Sequence, residues 1–292
     1  MEPSAIERAG MLVSYSRALS LVAADNGAAP AIIDGETSLS FTELDRRSNQ
    51  LARAYAELGV GQDDFVTLAL PNCIEFFVAC FAIWKLGATP QPVSHRLPFR
   101  ERDEIVTLAD SKLVIGVPAE THRNRTCIPQ GFNPDPDIDD GLLEDRVAAS
   151  WKAPTSGGST GRPKLIVSSK PSLAPIARTS AGWAIQGQFH TWGGGNDHGC
   201  HILAGPLYHN APFISALMGI LAGCQQVLMQ PNSFYQRNPR LYPKSANRVV
   251  LRHTKPTALV HRLQYHCSYL LISVLRQHRK YLQPHCRTID GH

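Results

Sequence analysis

Small, hydroxylic and basic residues between positions 155 and 164 offer the chemistry of phosphate binding. The segment reads Thr-Ser-Gly-Gly-Ser-Thr-Gly-Arg-Pro-Lys. Its three glycines let the backbone turn tightly and bring N–H groups against an anion with no Cβ in the way. The hydroxyl groups add donors, and the ammonium group of Lys164 is a positive charge that can reach a phosphate oxygen. The spacing therefore predicts a phosphate-binding loop.

This loop differs from the Walker A phosphate loop. Gly161 is followed by Arg-Pro, whereas a Walker A loop continues with Lys and then Ser or Thr. The apolar run from Leu165 to Val167 predicts a strand, at the place where a Walker A loop opens a helix. The alternative interpretation is a flexible Gly/Ser linker with a chance lysine. We favour the phosphate loop, because a flexible linker has no reason to be followed at once by proline and an apolar strand.

A second group of residues has the donor types of a metal site, namely Asp197, His198, Cys200 and His201. No second ligand pair follows them at a usable spacing, so we predict no metal site here. The seven cysteines of the chain are scattered and never form a CxxC pair. They indicate free thiols in a reducing cytoplasm, and neither a disulfide scaffold nor a zinc site.

Alternating strand and helix signals must position the phosphate loop. Ser40 with Glu43 three residues later predicts a capping box at the start of a helix, and Gly59 ends that helix as a left-handed cap. A second helix runs from Ile74 to its stop at Gly87. The remaining signals are strands near 65–70, 89–93 and 113–116 and a charged helix near 100–109.

Strands separated by helices of this length predict an α/β fold with layered parallel sheets and helices on their faces. Residues 118–145, where prolines alternate with aspartates, predict a loop or linker that leads to the phosphate loop. The chain is 43% apolar and 18% charged, an ordinary globular balance. No apolar run approaches the roughly 20 residues of a membrane span, and the N-terminus has no secretory signal, so we expect a cytoplasmic protein.

The loop from Thr155 to Lys164 resembles the phosphate-loop signature of the adenylate-forming (AMP-binding) superfamily, which includes acyl-CoA synthetases, luciferases and peptide-synthetase adenylation domains. Residues 40–52, 70–76 and 85–88 resemble the N-terminal subdomain of this superfamily, in the right order. Residues 205–213 are similar to the segment that lines its acyl pocket. The resemblance covers about residues 31–229 and leans toward the bile-acid-CoA-ligase and related acyl-CoA synthetase branch.

The resemblance implies an acid–thiol ligase, with a place in fatty acid metabolism. A small carboxylic acid attacks the α-phosphate of Mg·ATP to give an acyl adenylate and pyrophosphate, and the thiol of coenzyme A then displaces AMP. The cofactors implied are ATP, Mg²⁺ and coenzyme A. His209 would border the acyl and AMP pocket, and its alternative role is that of a hydrogen-bonded core or helix-start histidine. The β- and γ-phosphates would be bound by Thr155, Ser156, Gly157, Gly158, Ser159, Thr160, Gly161 and Lys164.

The superfamily also carries motifs that this sequence does not contain. These are an aromatic-Gly-x-Thr-Glu segment whose Glu helps hold Mg²⁺, a Thr-Gly-Asp whose Asp binds the ribose, and a C-terminal lysine that stabilises adenylate formation. We therefore assign no catalytic residue. We expect a truncated N-terminal domain of an adenylate-forming enzyme that is inactive by itself, because those missing groups supply much of the electrostatic stabilisation.

We place a domain boundary near residue 230, between a partial AMP-binding domain (1–230) and an unrelated basic tail (231–292). The tail holds eleven Lys and Arg residues and a single acid, Asp290, whereas residues 1–230 hold 18 basic and 23 acidic residues. We interpret the tail as the product of a shifted reading frame or as a disordered segment. The alternative is a genuine basic amphipathic helix that binds an anionic membrane or nucleic acid.

Three hypotheses about the molecule follow. The first is an acyl-CoA-synthetase-like protein. The second is a binding or regulatory module, in which the loop holds ATP or pyrophosphate and the tail recruits a partner. The third is a remnant that does not stay folded, because an interrupted sheet exposes an unpaired edge.

Overall fold

The structure is a computed structural model that describes residues 12–156, 163–175, 200–203, 205–228 and 286–290. The helices in these ranges are α1 (Tyr15–Asn26), α2 (Phe41–Glu57), α3 (Ile74–Lys85), α4 (Phe99–Leu108) and α5 (Asn210–Leu221). The strands are β1 (Leu12–Ser14), β2 (Pro30–Asp34), β3 (Thr37–Ser40), β4 (Phe65–Leu68), β5 (Thr89–Pro92), β6 (Leu113–Ile115), β7 (Thr126–Ile128), β8 (Thr155–Ser156), β9 (Lys164–Ser168), β10 (Leu173–Pro175), β11 (Cys200–Leu203), β12 (Gln225–Leu228) and β13 (Cys286–Asp290).

The first sheet is wholly parallel, with strand order β5-β4-β6-β7. Helix α3 connects β4 to β5, and α4 connects β5 to β6. Parallel neighbours need such crossovers, because a tight turn can join only antiparallel strands. The strands and helices predicted between residues 65 and 116 are therefore confirmed, with bounds that differ by at most two residues.

The second sheet has the order β11-β12-β2-β3. Strands β11, β12 and β2 are parallel, and β3 turns back on β2 as an antiparallel edge. Helix α5 connects β11 to β12. The sheet thus joins residues 30–40 to residues 200–228, which are far apart in sequence.

Helix α3 lies at the centre of the core. Its residues from Phe76 to Lys85 are all buried, and the helix contacts β4 and β5 of the first sheet and β2 of the second. Trp84 anchors an aromatic cluster: its ring lies 4.8 Å from Tyr15 on α1 and 6.4 Å from Phe213 on α5. The predicted α/β architecture, with layered parallel sheets and helices, is confirmed.

The predicted capping box is confirmed at the start of α2. The Ser40 hydroxyl accepts a hydrogen bond from the Glu43 amide, and the Glu43 carboxylate accepts one from the Ser40 amide at 2.9 Å. Gly59 and Gly87 have φ angles of 89° and 69° after α2 and α3. Gly59 therefore occupies the predicted left-handed conformation, and Gly87, predicted only as the end of its helix, adopts it too.

Residues 118–145 are not entirely loop, which corrects one prediction. Strand β7 (Thr126–Ile128) extends the first sheet, paired in parallel with β6. Three residues are too few to form a recognisable strand pattern in the sequence. Their extended conformation depends on pairing with the edge of β6. The aspartates that follow dock on α2 through two ion pairs, Arg46 to Asp140 at 2.7 Å and Arg53 to Asp139 at 2.5 Å.

Most of the basic tail, residues 231–285 and 291–292, lies outside the described residues. The exception is the backbone of β13, which pairs with β9 in antiparallel register, Cys286 opposite Ser168 and Asp290 opposite Lys164. The two interpretations of the tail, and the domain boundary near residue 230, stay predictions. Among the described residues, none of the helices combines the length and the apolar character of a membrane span.

Candidate functional site

The two ends of the predicted phosphate loop form an antiparallel hairpin. Ser156 of β8 lies opposite Lys164 of β9, and Thr155 lies opposite Leu165. The pairing continues one residue before β8, where the Ile166 amide of β9 donates to the Pro154 carbonyl at 2.9 Å. A strand therefore follows the loop, as the sequence predicts and in contrast to a Walker A loop.

The register decides which side chains share a face. Residues directly opposite each other in an antiparallel pair point to the same side, and neighbours along a strand point to opposite sides. Ser156 and Lys164 therefore lie on one face of the hairpin, and Thr155 lies on the other with the buried Leu165. Of the remaining predicted phosphate ligands, Gly157, Gly158, Ser159, Thr160 and Gly161 lie outside the described residues.

Strand β5 of the first sheet holds the base of this hairpin through three successive residues. The Thr89 hydroxyl donates to the Ser150 carbonyl at 2.7 Å, and the Pro90 carbonyl accepts from the Ala153 amide at 3.1 Å. Gln91 then reaches the hairpin itself, since its Nε2 lies 3.3 Å from the Thr155 hydroxyl. Rigid support of this kind is what a phosphate site needs for its donors to keep their positions.

Behind Gln91 lies a buried polar group that we name the sheet cluster: Thr67 on β4, Gln91 on β5 and Ser111 before β6, all fully buried. The Thr67 hydroxyl donates to Gln91 Oε1 at 2.5 Å, and the Thr67 and Ser111 hydroxyl oxygens are 2.6 Å apart. Sequence reasoning missed this cluster. The available signal was Thr67, a polar residue inside the apolar run of β4.

The segment before the hairpin also contacts helix α5. Lys152 is nearly buried, and its ammonium lies 4.6 Å from the centre of the Trp151 ring, a cation–π distance. The same ammonium donates to the Asn210 side-chain oxygen at the first turn of α5. Lys152 thereby ties the base of the phosphate hairpin to the segment at 205–213, and the sequence reasoning did not single it out.

The segment at 205–213 is held in turn by Asn72, which precedes α3. Asn72 Nδ2 donates to the Gly205 carbonyl at 2.8 Å, and its Oδ1 accepts from the Leu207 amide at 2.8 Å. One side chain thus satisfies both a donor and an acceptor of a turn more than 130 residues away. This contact joins the Leu-Pro-Asn motif to the Gly-Pro-Leu-Tyr-His motif.

His209 is the N-cap residue of α5, with an exposed ring that lies 4.5 Å from the Tyr208 ring. Its side chain makes no capping hydrogen bond, while its backbone carbonyl accepts from the Phe213 amide at 3.1 Å. Of the two predicted roles, the helix-start position is observed. Its role at the border of an acyl and AMP pocket stays a prediction.

Burial shifts the pKa of two further groups, the Cys73 thiol next to Asn72 and His201 of the second predicted group of polar residues. Burial raises the pKa of the Cys73 thiol to about 11, so it is protonated at neutral pH and a poor nucleophile. Burial lowers the pKa of His201, whose Nδ1 lies 2.7 Å from Gln226 Oε1. Asp197 and His198 lie outside the described residues, and no metal-holding group of acids, histidines or cysteines occurs within them.

A family profile described as AMP-binding enzyme matches residues 19–261. Among curated relatives, the 2,3-dihydroxybenzoate-AMP ligase of Bacillus subtilis is 46% identical over 68 residues, which are 23% of this chain and 13% of that protein. Pyochelin synthase PchD of Pseudomonas aeruginosa is 34% identical over 106 residues, 35% of this chain and 19% of that protein. The chain therefore spans less than a fifth of the length of these relatives.

Two solved structures share the fold. The o-succinylbenzoate coenzyme A synthetase MenE of Bacillus subtilis, in complex with AMP, matches with a TM-score of 0.60 and 19% identity, over 76% of this chain and 57% of that one. The N-terminal subdomain of Klebsiella oxytoca NpsA, in complex with 3-hydroxybenzoyl-AMSN, matches with a TM-score of 0.56 and 16% identity, over 76% and 55%. The chain spans a little over half of each.

Proposed function

The chain belongs to the AMP-binding, adenylate-forming enzyme family, and on that basis we propose that it is the phosphate-binding part of an ATP-dependent acid–thiol ligase. The reaction is the activation of a small carboxylic acid as its acyl adenylate, followed by transfer of the acyl group to the thiol of coenzyme A. The names of two relatives, a 2,3-dihydroxybenzoate-AMP ligase and an o-succinylbenzoate coenzyme A synthetase, support a carboxylic acid as the substrate class.

The observation that carries the proposal is the register of the hairpin. Ser156 and Lys164 stand opposite each other, so a hydroxyl donor and a positive charge lie side by side where the loop begins and ends. The loop between them contains Gly157, Gly158 and Gly161, whose backbones can approach an anion closely. Hydroxyl, amide and ammonium donors fit the oxygens of the β- and γ-phosphates.

In this proposal the chain acts on the first step by positioning and by neutralising charge. Lys164 and the hydroxyl groups of Ser156, Ser159 and Thr160 hold the pyrophosphate part of ATP, so that the α-phosphate faces the incoming carboxylate. The tie from Lys152 to Asn210 keeps the His209 segment at a fixed distance from the hairpin base. Mg²⁺ bound to the triphosphate would neutralise part of its charge. The family's Mg²⁺-holding glutamate has no counterpart in this sequence, so we assign no residue to the metal.

We expect the 292-residue chain to bind Mg·ATP or pyrophosphate without turnover, because its sequence lacks the family motifs for adenine, ribose and the stabilising lysine. Binding is measured by isothermal titration calorimetry, and turnover by carboxylate-dependent exchange of pyrophosphate into ATP. Exchange activity would contradict the predicted inactivity and support a complete adenylation site. Binding without exchange agrees with the proposal and also with a simple nucleotide-binding module.

The decisive comparison is between two lysines. Replacing Lys164→Ala removes the predicted charge–phosphate contact and should weaken pyrophosphate binding about tenfold or more, since hydrogen bonds to charged groups contribute roughly 1.5–3 kcal/mol. Lys170→Ala is the matched control, because Lys170 lies exposed six residues further on, beyond the end of β9. Equal affinities of the two variants, or no binding by the unmodified chain, would overturn the proposal.

A further inference from the structure

The sheet cluster ends at the phosphate hairpin rather than within the core. Burying three polar side chains is unfavourable unless their donors and acceptors are paired, so their hydrogen bonds must be directed. Gln91 Oε1 faces two hydroxyl groups, that of Thr67 at 2.5 Å and that of Ser111 at 3.3 Å. The carbonyl end of the amide is therefore the end held by the sheet, and Nε2 is the end presented to the hairpin.

The contact that Nε2 makes decides the orientation of a strand. Its partner at 3.3 Å is the hydroxyl of Thr155, the first of the two residues of β8. When Thr155 is held toward the sheet, the next residue, Ser156, must point to the opposite face, where Lys164 also lies. A register slip of one residue would reverse this and turn the donors away from the loop opening.

We infer that Gln91 is a positioning residue of the phosphate site: its buried amide, oriented by Thr67 and Ser111, fixes Thr155 and thereby sets the face on which Ser156 and Lys164 meet a phosphate group. The inference rests on the proposed phosphate-binding function of the hairpin. It adds a residue 64 positions before Thr155, whose contact with the loop is made through the Thr155 hydroxyl.

The backbone contacts agree with this role. β5 already holds residues 150 and 153 through Thr89 and Pro90. Both contacts are made to backbone atoms that precede β8 in the sequence. Gln91 makes the last contact before the loop and reaches a side chain of β8 itself. A two-residue strand has few ladder hydrogen bonds of its own, so an outside contact has a large influence on its orientation.

A double-mutant cycle in the full chain tests the inference. Gln91→Met keeps the approximate size of the side chain and removes the donor, and it should weaken pyrophosphate binding about fivefold, the equivalent of one neutral hydrogen bond. In a Thr155→Val background the same replacement should have no further effect, because the contact is already absent. Thr155→Ser retains the hydroxyl and should preserve the Gln91 effect.

Ser48→Ala is the control for general loss of stability. Ser48 is fully buried on α2, and its hydroxyl donates to the Asp45 carbonyl at 2.9 Å, away from the hairpin. It should lower the unfolding temperature without changing pyrophosphate affinity. If Gln91→Met and Ser48→Ala have the same effect on affinity, or if the Gln91 effect persists unchanged in Thr155→Val, Gln91 does not position the site, while the proposed function stands.

A measurement without ligand separates this inference from the proposed function. The Ile166 amide is bonded to the Pro154 carbonyl across the hairpin and should exchange slowly with solvent. Gln91→Met should accelerate its exchange by more than the loss of global stability requires, and Ser48→Ala should not. If the unmodified chain binds no pyrophosphate, the proposed function fails and this exchange rate alone decides the positioning role. Gln91→Leu, which is uncharged and also lacks the donor, replaces Gln91→Met if the latter does not fold.

Discussion

Two buried polar groups of this chain differ in where their hydrogen bonds end. The helix cluster consists of Lys85 on α3 with Asp45 and Asn49 on α2: the Lys85 ammonium lies 2.6 Å from Asp45 Oδ1 and also donates to the Asn49 side chain. Ser20 on α1 donates to Asp45 at 3.1 Å. All of these contacts join α1, α2 and α3 to one another.

The sheet cluster is fully buried, whereas the Asp45 side chain of the helix cluster is 17% exposed. The sheet cluster nevertheless leads outward, through Gln91 to the phosphate hairpin. It contains no charged group, and burial lowers the pKa of Lys85 in the helix cluster despite the nearby Asp45 carboxylate. The comparison teaches that burial alone does not distinguish a structural polar group from one that serves a site. The two groups differ in the residue that accepts their last hydrogen bond. Variants of the helix cluster should therefore change only the free energy of unfolding, and variants of the sheet cluster should also change pyrophosphate affinity.

The largest effect is expected from the helix cluster. Lys85→Met leaves the Asp45 carboxylate without its cation and should lower the free energy of unfolding by about 3 kcal/mol, as breaking a buried ion pair does. Pyrophosphate affinity should stay unchanged well below the unfolding temperature. Urea denaturation and calorimetric titration measure the two quantities.

The matched control is Lys112→Met, at an exposed lysine, which should change stability by no more than about 0.5 kcal/mol. A double variant, Lys85→Met with Asp45→Leu, should recover part of the lost stability, because no charge is then left unpaired. A tenfold loss of pyrophosphate affinity in Lys85→Met would break the distinction between the two clusters.

An intermediate effect is expected from the sheet cluster. Thr67→Val is nearly isosteric and leaves Gln91 Oε1 with only the longer contact to Ser111, so it should lower the free energy of unfolding by about 1–3 kcal/mol. Unlike Lys85→Met, it should also weaken pyrophosphate binding, since the Gln91 amide loses its main orienting bond. Urea denaturation and calorimetric titration measure the two effects. An unaltered pyrophosphate affinity would show that the sheet cluster, like the helix cluster, contributes only to stability.

The smallest effect concerns the helix start that positions Asp45 and Asn49. Hydrogen bonds from the Ser40 amide and hydroxyl lower the pKa of Glu43 below its ordinary value of 4.5. Because the pKa is lower in the folded chain, the stabilisation is complete above pH 4.5 and is lost as pH falls through the lowered value. At neutral pH we expect a contribution of about 0.5 kcal/mol.

Denaturation of Glu43→Gln and the unmodified chain at neutral pH and near pH 3 checks this prediction. The difference between the two proteins should shrink at the lower pH, where Glu43 becomes protonated. Glu57→Gln, at an exposed position in the last turn of the same helix, serves as a control for the loss of one negative charge alone. A difference that grows toward low pH would show that the carboxylate does not cap the helix.

The sequence predicted elements whose determinants are local. Ser40 and Glu43 are three residues apart and meet within one helical turn, so their spacing in the sequence is enough to predict the capping box. Likewise, glycines at 59 and 87 end helices because a left-handed residue is needed there. The phosphate loop followed by a strand belongs to the same class, since its glycines, proline and apolar run are contiguous.

The tertiary structure alone decided the contacts that depend on strand register and on the meeting of distant segments. Gln91 approaches Thr67 and Thr155 only because β4 and β5 pair in one particular register and the hairpin packs on β5. Asn72 reaches Gly205, and Lys152 reaches Asn210, across separations that loop closure and packing determine. No local pattern encodes such pairings, because the free energy that selects them comes from burial and hydrogen bonding summed over the whole core.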